Sequence, residues 1–212
     1  AVQLGGVIVD SGRFDWTCGQ FQEFTEPDES YHGVVYSEAF GNAAFITKAR
    51  VQMMRDLGST MTAQGAFYLN LGLETLPLRM AKHCENADAV AKYLAKHEKV
   101  ASVNYPTLPG DKYHALAQKY LPKGSSGVVA FDIKGGRESA VRFLDSLHLA
   151  AIVVHVAETR TAVLHPASST HRQLTDEQLV AAGITPGLIR FSCGIENIED
   201  ILEDLEQALA KA

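Results

Sequence analysis

Beyond residue 97 the chain is built from five short apolar runs, at 100–105, 127–133, 150–154, 162–164 and 188–193, with helical stretches between them at about 112–120, 137–147, 175–182 and 197–211. Runs of three to seven residues rich in Val, Ile and Phe are too short for helices and read as strands. Strands separated by helices bury their apolar faces by packing as layers around one core, which predicts an α+β domain. The helix signals agree. Thr175 and Gln178 form a capping box, Gly183 can end that helix, and Asn197 with Glu199 and Asp200 caps the last one.

The first half has a different style. Residues 7–9 read as a first strand, closed by the turn formers Asp10, Ser11 and Gly12, and 18–33 as an ordered loop with aromatics and Pro27. Residues 42–57 place Ile46, Met53 and Leu57 on one helical face and end at Gly58. A longer helical region, 62–97, is broken at Pro77, which lacks a backbone donor and clashes with the preceding turn. Beyond it Met80, Cys84, Ala87, Ala91 and Leu94 form an apolar stripe. This change of style sets a domain boundary near 86–98, giving 1–90 and 91–212. The opening, AVQLGGVIVDSG, lacks an initiator methionine and starts at the edge of a Val/Ile run, and reads as a cut through a larger protein.

Composition excludes several classes. With 212 residues and 46% hydrophobic content the chain can bury a core, and 19 basic against 25 acidic residues give a net charge of -6 with no basic footprint for nucleic acid. No run approaches the roughly 18 apolar residues of a membrane span. Cys18, Cys84 and Cys193 are odd in number, widely spaced and free of CxxC pairing, the pattern of reduced thiols in a cytoplasmic protein.

Two stretches carry candidate chemistry. In GLIRFSCGIE, residues 187–196, Arg190 puts a permanent charge into an apolar strand three residues before Cys193 and four before Gly194. A buried guanidinium must meet a carboxylate or phosphate, either a structural neighbour or a substrate, and its planar fork suits bidentate binding. In TAVLHPASSTH, residues 161–171, Pro166 stops a strand and small hydroxyl residues lead into a tight loop. His165 and His171 have no third ligand nearby and no HExxH spacing, so they read as loop-bracing residues and no metal is expected. There is no GxSxG elbow, P-loop or dinucleotide fingerprint. Cys193 reads as a small core residue, although a neighbouring cation could activate a thiol.

Several stretches taken in order, DESYHGVVYSEAFGNAAFITKARVQMMRDLG, GLETLPLRMAKHCENADAVAKYL, VNYPTLPGDKYHALAQKYLPKGSSGVVAFDIKGG, VLHPASSTHRQLTDEQ and GLIRFSCGIENIEDILEDLEQAL, resemble the C-terminal half of O-acetylhomoserine sulfhydrylases, in the cysteine/methionine-metabolism group of pyridoxal-phosphate (PLP) enzymes. The resemblance implies an α/β, aspartate-aminotransferase-type PLP-dependent transferase fold. Residues 1–90 would close the large cofactor domain, and 91–212 would form the small substrate-clamping domain with a mainly antiparallel sheet. It implies that Arg190, in the R-x-S-x-G-[IL]-E motif, holds the substrate's α-carboxylate, and that Thr161 lies at the substrate end of the pocket. It further implies a homotetramer that takes O-acetylhomoserine and sulfide or a thiol, by γ-replacement, to homocysteine or methionine.

Departures from the pattern are specific. Where the family carries Asn-x-Gly before Thr161, this chain has His155, Val156 and Ala157, and Cys193 replaces the usual valine or threonine. The Schiff-base lysine of the family's S-x-T-K motif lies upstream of the first residue, and Lys48, in the only Thr-Lys pair, reads as a surface lysine. The chain alone is therefore expected to be inactive and unable to bind PLP covalently. Cystathionine γ-synthase and methionine γ-lyase remain alternatives, as does a stable non-catalytic binding or assembly fragment.

Overall fold

The computed structural model describes residues 2–212. It separates into two compact units, one ending at Leu73 and the other beginning at Glu74.

In the second unit five strands, β1 (Val100–Asn104), β2 (Val128–Ile133), β3 (Ala151–Ile152), β4 (Ala162–Leu164) and β5 (Leu188–Ser192), form one sheet in the order β1-β2-β5-β4-β3. All neighbours are antiparallel except β3 and β4. Strand alternation sends Val129, Phe131 and Ile133 of β2, with Ile189 and Phe191 of β5, into a common core. Helices supply the other side of that core. Helix α6 (Leu76–Leu94) gives Ala87, Val90, Ala91 and Leu94, α8 (Gly136–Ser146) gives Ala140, Phe143 and Leu144, and α10 (Ile198–Leu209) gives Ile201, Leu205, Ala208 and Leu209. Phe143 meets Phe131 edge-on, with centroids 5.9 Å apart at 86°. Arg190 takes the alternate position on β5, in register with Ala130 of β2 and Leu164 of β4, and so lies on the face turned away from the helices. The buried Asp204 of α10 accepts the backbone N–H groups of His148, Leu149 and Ala150 at 2.7, 3.0 and 2.9 Å, tying the approach to β3 onto the helix layer.

The break at Pro77 appears as expected, with Pro77 in the first turn of α6, where a missing donor does no harm. The packing divides before this helix, and the buried side of α6 belongs to the second core. Its stripe is also more polar than the apolar periodicity indicates: His83 and Asn86 are fully buried, whereas Met80 and Cys84 are only half-buried.

The first unit contains α1 (Gln22–Thr25), α2 (Tyr36–Phe40), α3 (Ala44–Lys48), α4 (Arg55–Leu57) and all but the last residue of α5 (Ala63–Glu74). The helix expected over 42–57 forms, but residues 49–54 between α3 and α4 are wound as a π-helix, and Gly58, with φ +69°, ends it. The wider turn shifts the phase of the side chains. The expected Ile46/Met53/Leu57 face is therefore not a core face: Met53 and Leu57 are 59% and 70% exposed, and Ala44, Phe45 and Val51 pack instead against Phe24 and Tyr36. Residues 7–9 are irregular and exposed rather than a strand, since among the described residues no strand lies beside them and a lone strand has no ladder. Residues 18–33 are ordered as expected, through α1, a 3₁₀ turn at Glu29–Tyr31 and a bridge from Asp28 to Val34.

Candidate functional site

As β5 leaves the sheet, one face of the backbone from Arg190 to Glu196 is laced to the stretch 154–161. Arg190 Nη2 donates to the Val154 carbonyl at 2.7 Å, and the Ala157 N–H donates to Ser192 Oγ at 3.1 Å. The Ile195 N–H donates to Thr159 O at 2.9 Å. The Gly194 N–H donates to Thr161 Oγ1 at 2.9 Å, and Thr161 in turn gives its N–H and its hydroxyl proton to the two oxygens of Glu196, at 2.6 and 2.9 Å. A Cβ on Gly194 would stand 2.5 Å from both Thr159 O and Thr161 N, so only glycine lets the two segments approach this closely.

Helix α6 holds the same turn from the other side. His83 Nδ1 lies 2.6 Å from the Cys193 carbonyl, which can only accept, so Nδ1 carries the proton. One turn further on, Asn86 Nδ2 donates to the carbonyls of Gly194 and Glu196 at 3.0 and 2.9 Å. The arginine is thus set on a strand whose exit is fixed from both flanks, an arrangement that keeps a binding group in one geometry.

Arg190 is half-buried, and among the described residues it forms no ion pair with a carboxylate. A structural Asp or Glu is therefore not its partner; a backbone carbonyl holds one end of the fork. Thr161 is fully buried, and its one hydroxyl proton goes to Glu196, so it braces the arginine's turn rather than facing outward. His165 braces the loop after β4 as expected, with Nδ1 2.8 Å from Ser168 Oγ and Nε2 2.8 Å from Pro186 O, and burial pushes its pKa down. Among the described residues no cluster suits a metal ion. The Cys193 thiol is buried and pushed up to about 12 by desolvation, the behaviour of a packing residue rather than a nucleophile. Sequence reasoning missed His83, Asn86 and Val154; the one available signal was a His and an Asn three apart interrupting an otherwise apolar stripe.

Lys48 is not a surface lysine. Its side chain is 18% exposed, its amine pairs with Asp28 at 2.8 Å, and it lies 4.3 Å from the centroid of Tyr36. Asp28 also accepts from Ser30 and Gln52, and these bonds, led by that from Lys48, hold its carboxyl at about 2.

The description "Cys/Met metabolism PLP-dependent enzyme" matches residues 3–210. The chain belongs to this family. Within the Cys/Met metabolism family it is 49% identical to O-acetyl-L-homoserine sulfhydrylase of Leptospira meyeri, over 97% of this chain and 49% of the relative. It is 48% identical to homocysteine synthase of Schizosaccharomyces pombe, over 99% of this chain and 49% of that one. The chain thus spans about half the length of the curated relatives it matches. Among solved structures, an O-acetylhomoserine (thiol)-lyase from Campylobacter jejuni, carrying N'-pyridoxyl-lysine-5'-monophosphate, superposes with a TM-score of 0.80 at 39% identity, covering 88% of this chain and 44% of that one. The fold is therefore that of the PLP-dependent enzymes of this family, and the family's cofactor is PLP.

Several of the described lysines are held by partners within the chain. Covalent attachment needs a lysine free to form an imine. Lys48 is tied to Asp28, Lys99 donates to the Ala212 carbonyl and Lys134 to the Glu98 carbonyl. What this chain offers is a cationic fork on a braced strand, a geometry suited to an anionic group.

Proposed function

We propose that the protein carrying this chain is an O-acetylhomoserine sulfhydrylase, in which Arg190 holds the α-carboxylate of the amino-acid substrate while sulfide or a thiol replaces the acetyl ester. The observation that carries this reading is the unmatched charge of Arg190: its fork is oriented by Val154 O, and no carboxylate among the described residues answers it. The chain's similarity to sulfhydrylases and homocysteine synthases supports the choice of substrate. Thr161, Glu196, His83 and Asn86 bind no substrate in this scheme; they keep the strand exit still, so that the carboxylate is met by a preset fork. We extend the proposal to a cytoplasmic homotetramer, to a large-domain origin for residues 1–90 and a substrate-clamping role for 91–212, and to inactivity of the chain by itself.

The test is Arg190→Lys in the complete enzyme. Lysine keeps the charge and loses the bidentate geometry. Losing one charge-assisted bond should raise KM for O-acetylhomoserine about tenfold or more, and KM for sulfide should change little. An unaltered KM for O-acetylhomoserine would remove Arg190 from the site.

A further inference from the structure

Arg190 depends on a carbonyl that belongs to an unusual turn. The stretch 154–161 is fastened to β5 and its exit at Val154, Ala157, Thr159 and Thr161, and the residues that follow the first tie up to and including the second, His155, Val156 and Ala157, are those that depart from the family's Asn-x-Gly pattern. Ala157 sits at φ +54°, in the left-handed region that a residue with a Cβ enters at a cost and glycine enters freely. This turn brings residue 158 back to residue 155, and His155 Nδ1 meets Glu158 Oε2 at 2.7 Å. The Glu158 side chain is only 20% exposed, and the bond from His155 holds its carboxyl below the usual range. Arg160 approaches its other oxygen at 3.8 Å.

The covalent geometry links this clasp to the clamp. The Val154 carbonyl and the His155 N–H belong to one planar peptide unit, so a rotation that moves one carries the other. A clasp that fixes the backbone at His155 therefore fixes the direction of the carbonyl that receives Arg190 Nη2. We propose that His155 is a positioning residue for Arg190: together with Glu158 it holds the turn that presents the Val154 carbonyl to the guanidinium, and so sets how firmly the substrate carboxylate is held. The histidine supplies the restraint that the left-handed turn needs when alanine stands where the family has glycine. This inference rests on the reading of Arg190 as the carboxylate clamp.

The experiment compares His155→Ala, His155→Phe, His155→Asn and Arg190→Lys in the complete PLP-loaded enzyme. Phe keeps the bulk but not the Glu158 bond, and Asn restores a short polar side chain of the family's type. Two quantities are read: KM against kcat for O-acetylhomoserine, and the rate at which phenylglyoxal labels Arg190, followed by peptide mass spectrometry. Ala and Phe should each raise KM about threefold or more with kcat nearly unchanged, the pattern of lost uniform binding. Both should speed labelling of Arg190 while leaving that of Arg13 and Arg50 as it was, and Asn should restore both readouts. Wild-type KM and labelling in the Ala and Phe variants, with a raised KM in Arg190→Lys, would overturn this inference and leave the clamp standing. An unchanged KM in Arg190→Lys would overturn the clamp itself. Loss of the circular dichroism signal in both the His155→Ala and His155→Phe variants would also overturn the positioning role of His155, since a clasp on a half-exposed turn should not hold up the fold.

Discussion

At the scale of single residues, the motif R-x-S-x-G-I-E resolves into separate physical tasks. Arg190 carries the charge, Ser192 Oγ receives the Ala157 amide, Gly194 leaves room for the Thr159 and Thr161 backbone, and Glu196 takes both hydrogens that Thr161 offers. Gly194→Ala should therefore be costly, because the added carbon meets backbone atoms that cannot turn aside. We expect a loss of about 2 kcal/mol or more, read as a lower urea midpoint, together with a higher KM. The sequence alone displayed Arg190 and the glycine, since a charge in an apolar strand and a glycine at its end are visible in one dimension. It did not display His83 and Asn86, more than 100 residues away, whose part is to donate to carbonyls that become neighbours only in the folded chain. Nor did it reveal that Thr161 faces inward, because a hydroxyl's partners are set by tertiary contacts that leave no local pattern.

At the scale of elements, the strands and helices beyond residue 97 were legible almost in full, because their apolar periodicity and caps coincide with how they pack. The helix after residue 42 was legible in extent but not in orientation. Its π-helical turn rotates the later side chains away from the face that a 3.6-residue period assigns, and no residue type announces that turn. Packing energetics follow from the legible part: Phe143→Ala, which empties the edge-on contact with Phe131, should destabilise the second unit by about 3–5 kcal/mol, measurable by urea denaturation. In the first unit the tie between Asp28 and Lys48 joins the 3₁₀ turn to the end of α3. Asp28 is held at about 2 against an ordinary 3.8, so its contribution to stability is present above about pH 4 and fades as pH falls toward 2. Asp28→Asn should flatten the dependence of the urea midpoint on pH in that window, and an unchanged slope would show that other carboxylates govern it.

At the scale of the whole molecule, the 212 residues place Arg190 on a braced strand and cover about half the length of the curated relatives from Leptospira meyeri and Schizosaccharomyces pombe. If the proposed inactivity of the chain by itself holds, the purified chain supplied with PLP, O-acetylhomoserine and sulfide should release no acetate; acetate release above a protein-free control would overturn it. The sheet order carries a further consequence. The fifth strand in sequence lies between the second and the fourth, so during synthesis both of those wait with an open edge for a partner made later. A ribosome-bound chain stalled before residue 188 would therefore hold two unpaired sheet edges and a helix layer lacking the Asp204 tie. Arg190 arrives on the strand that closes that gap, so any molecule that displays it in its braced form has already completed its sheet.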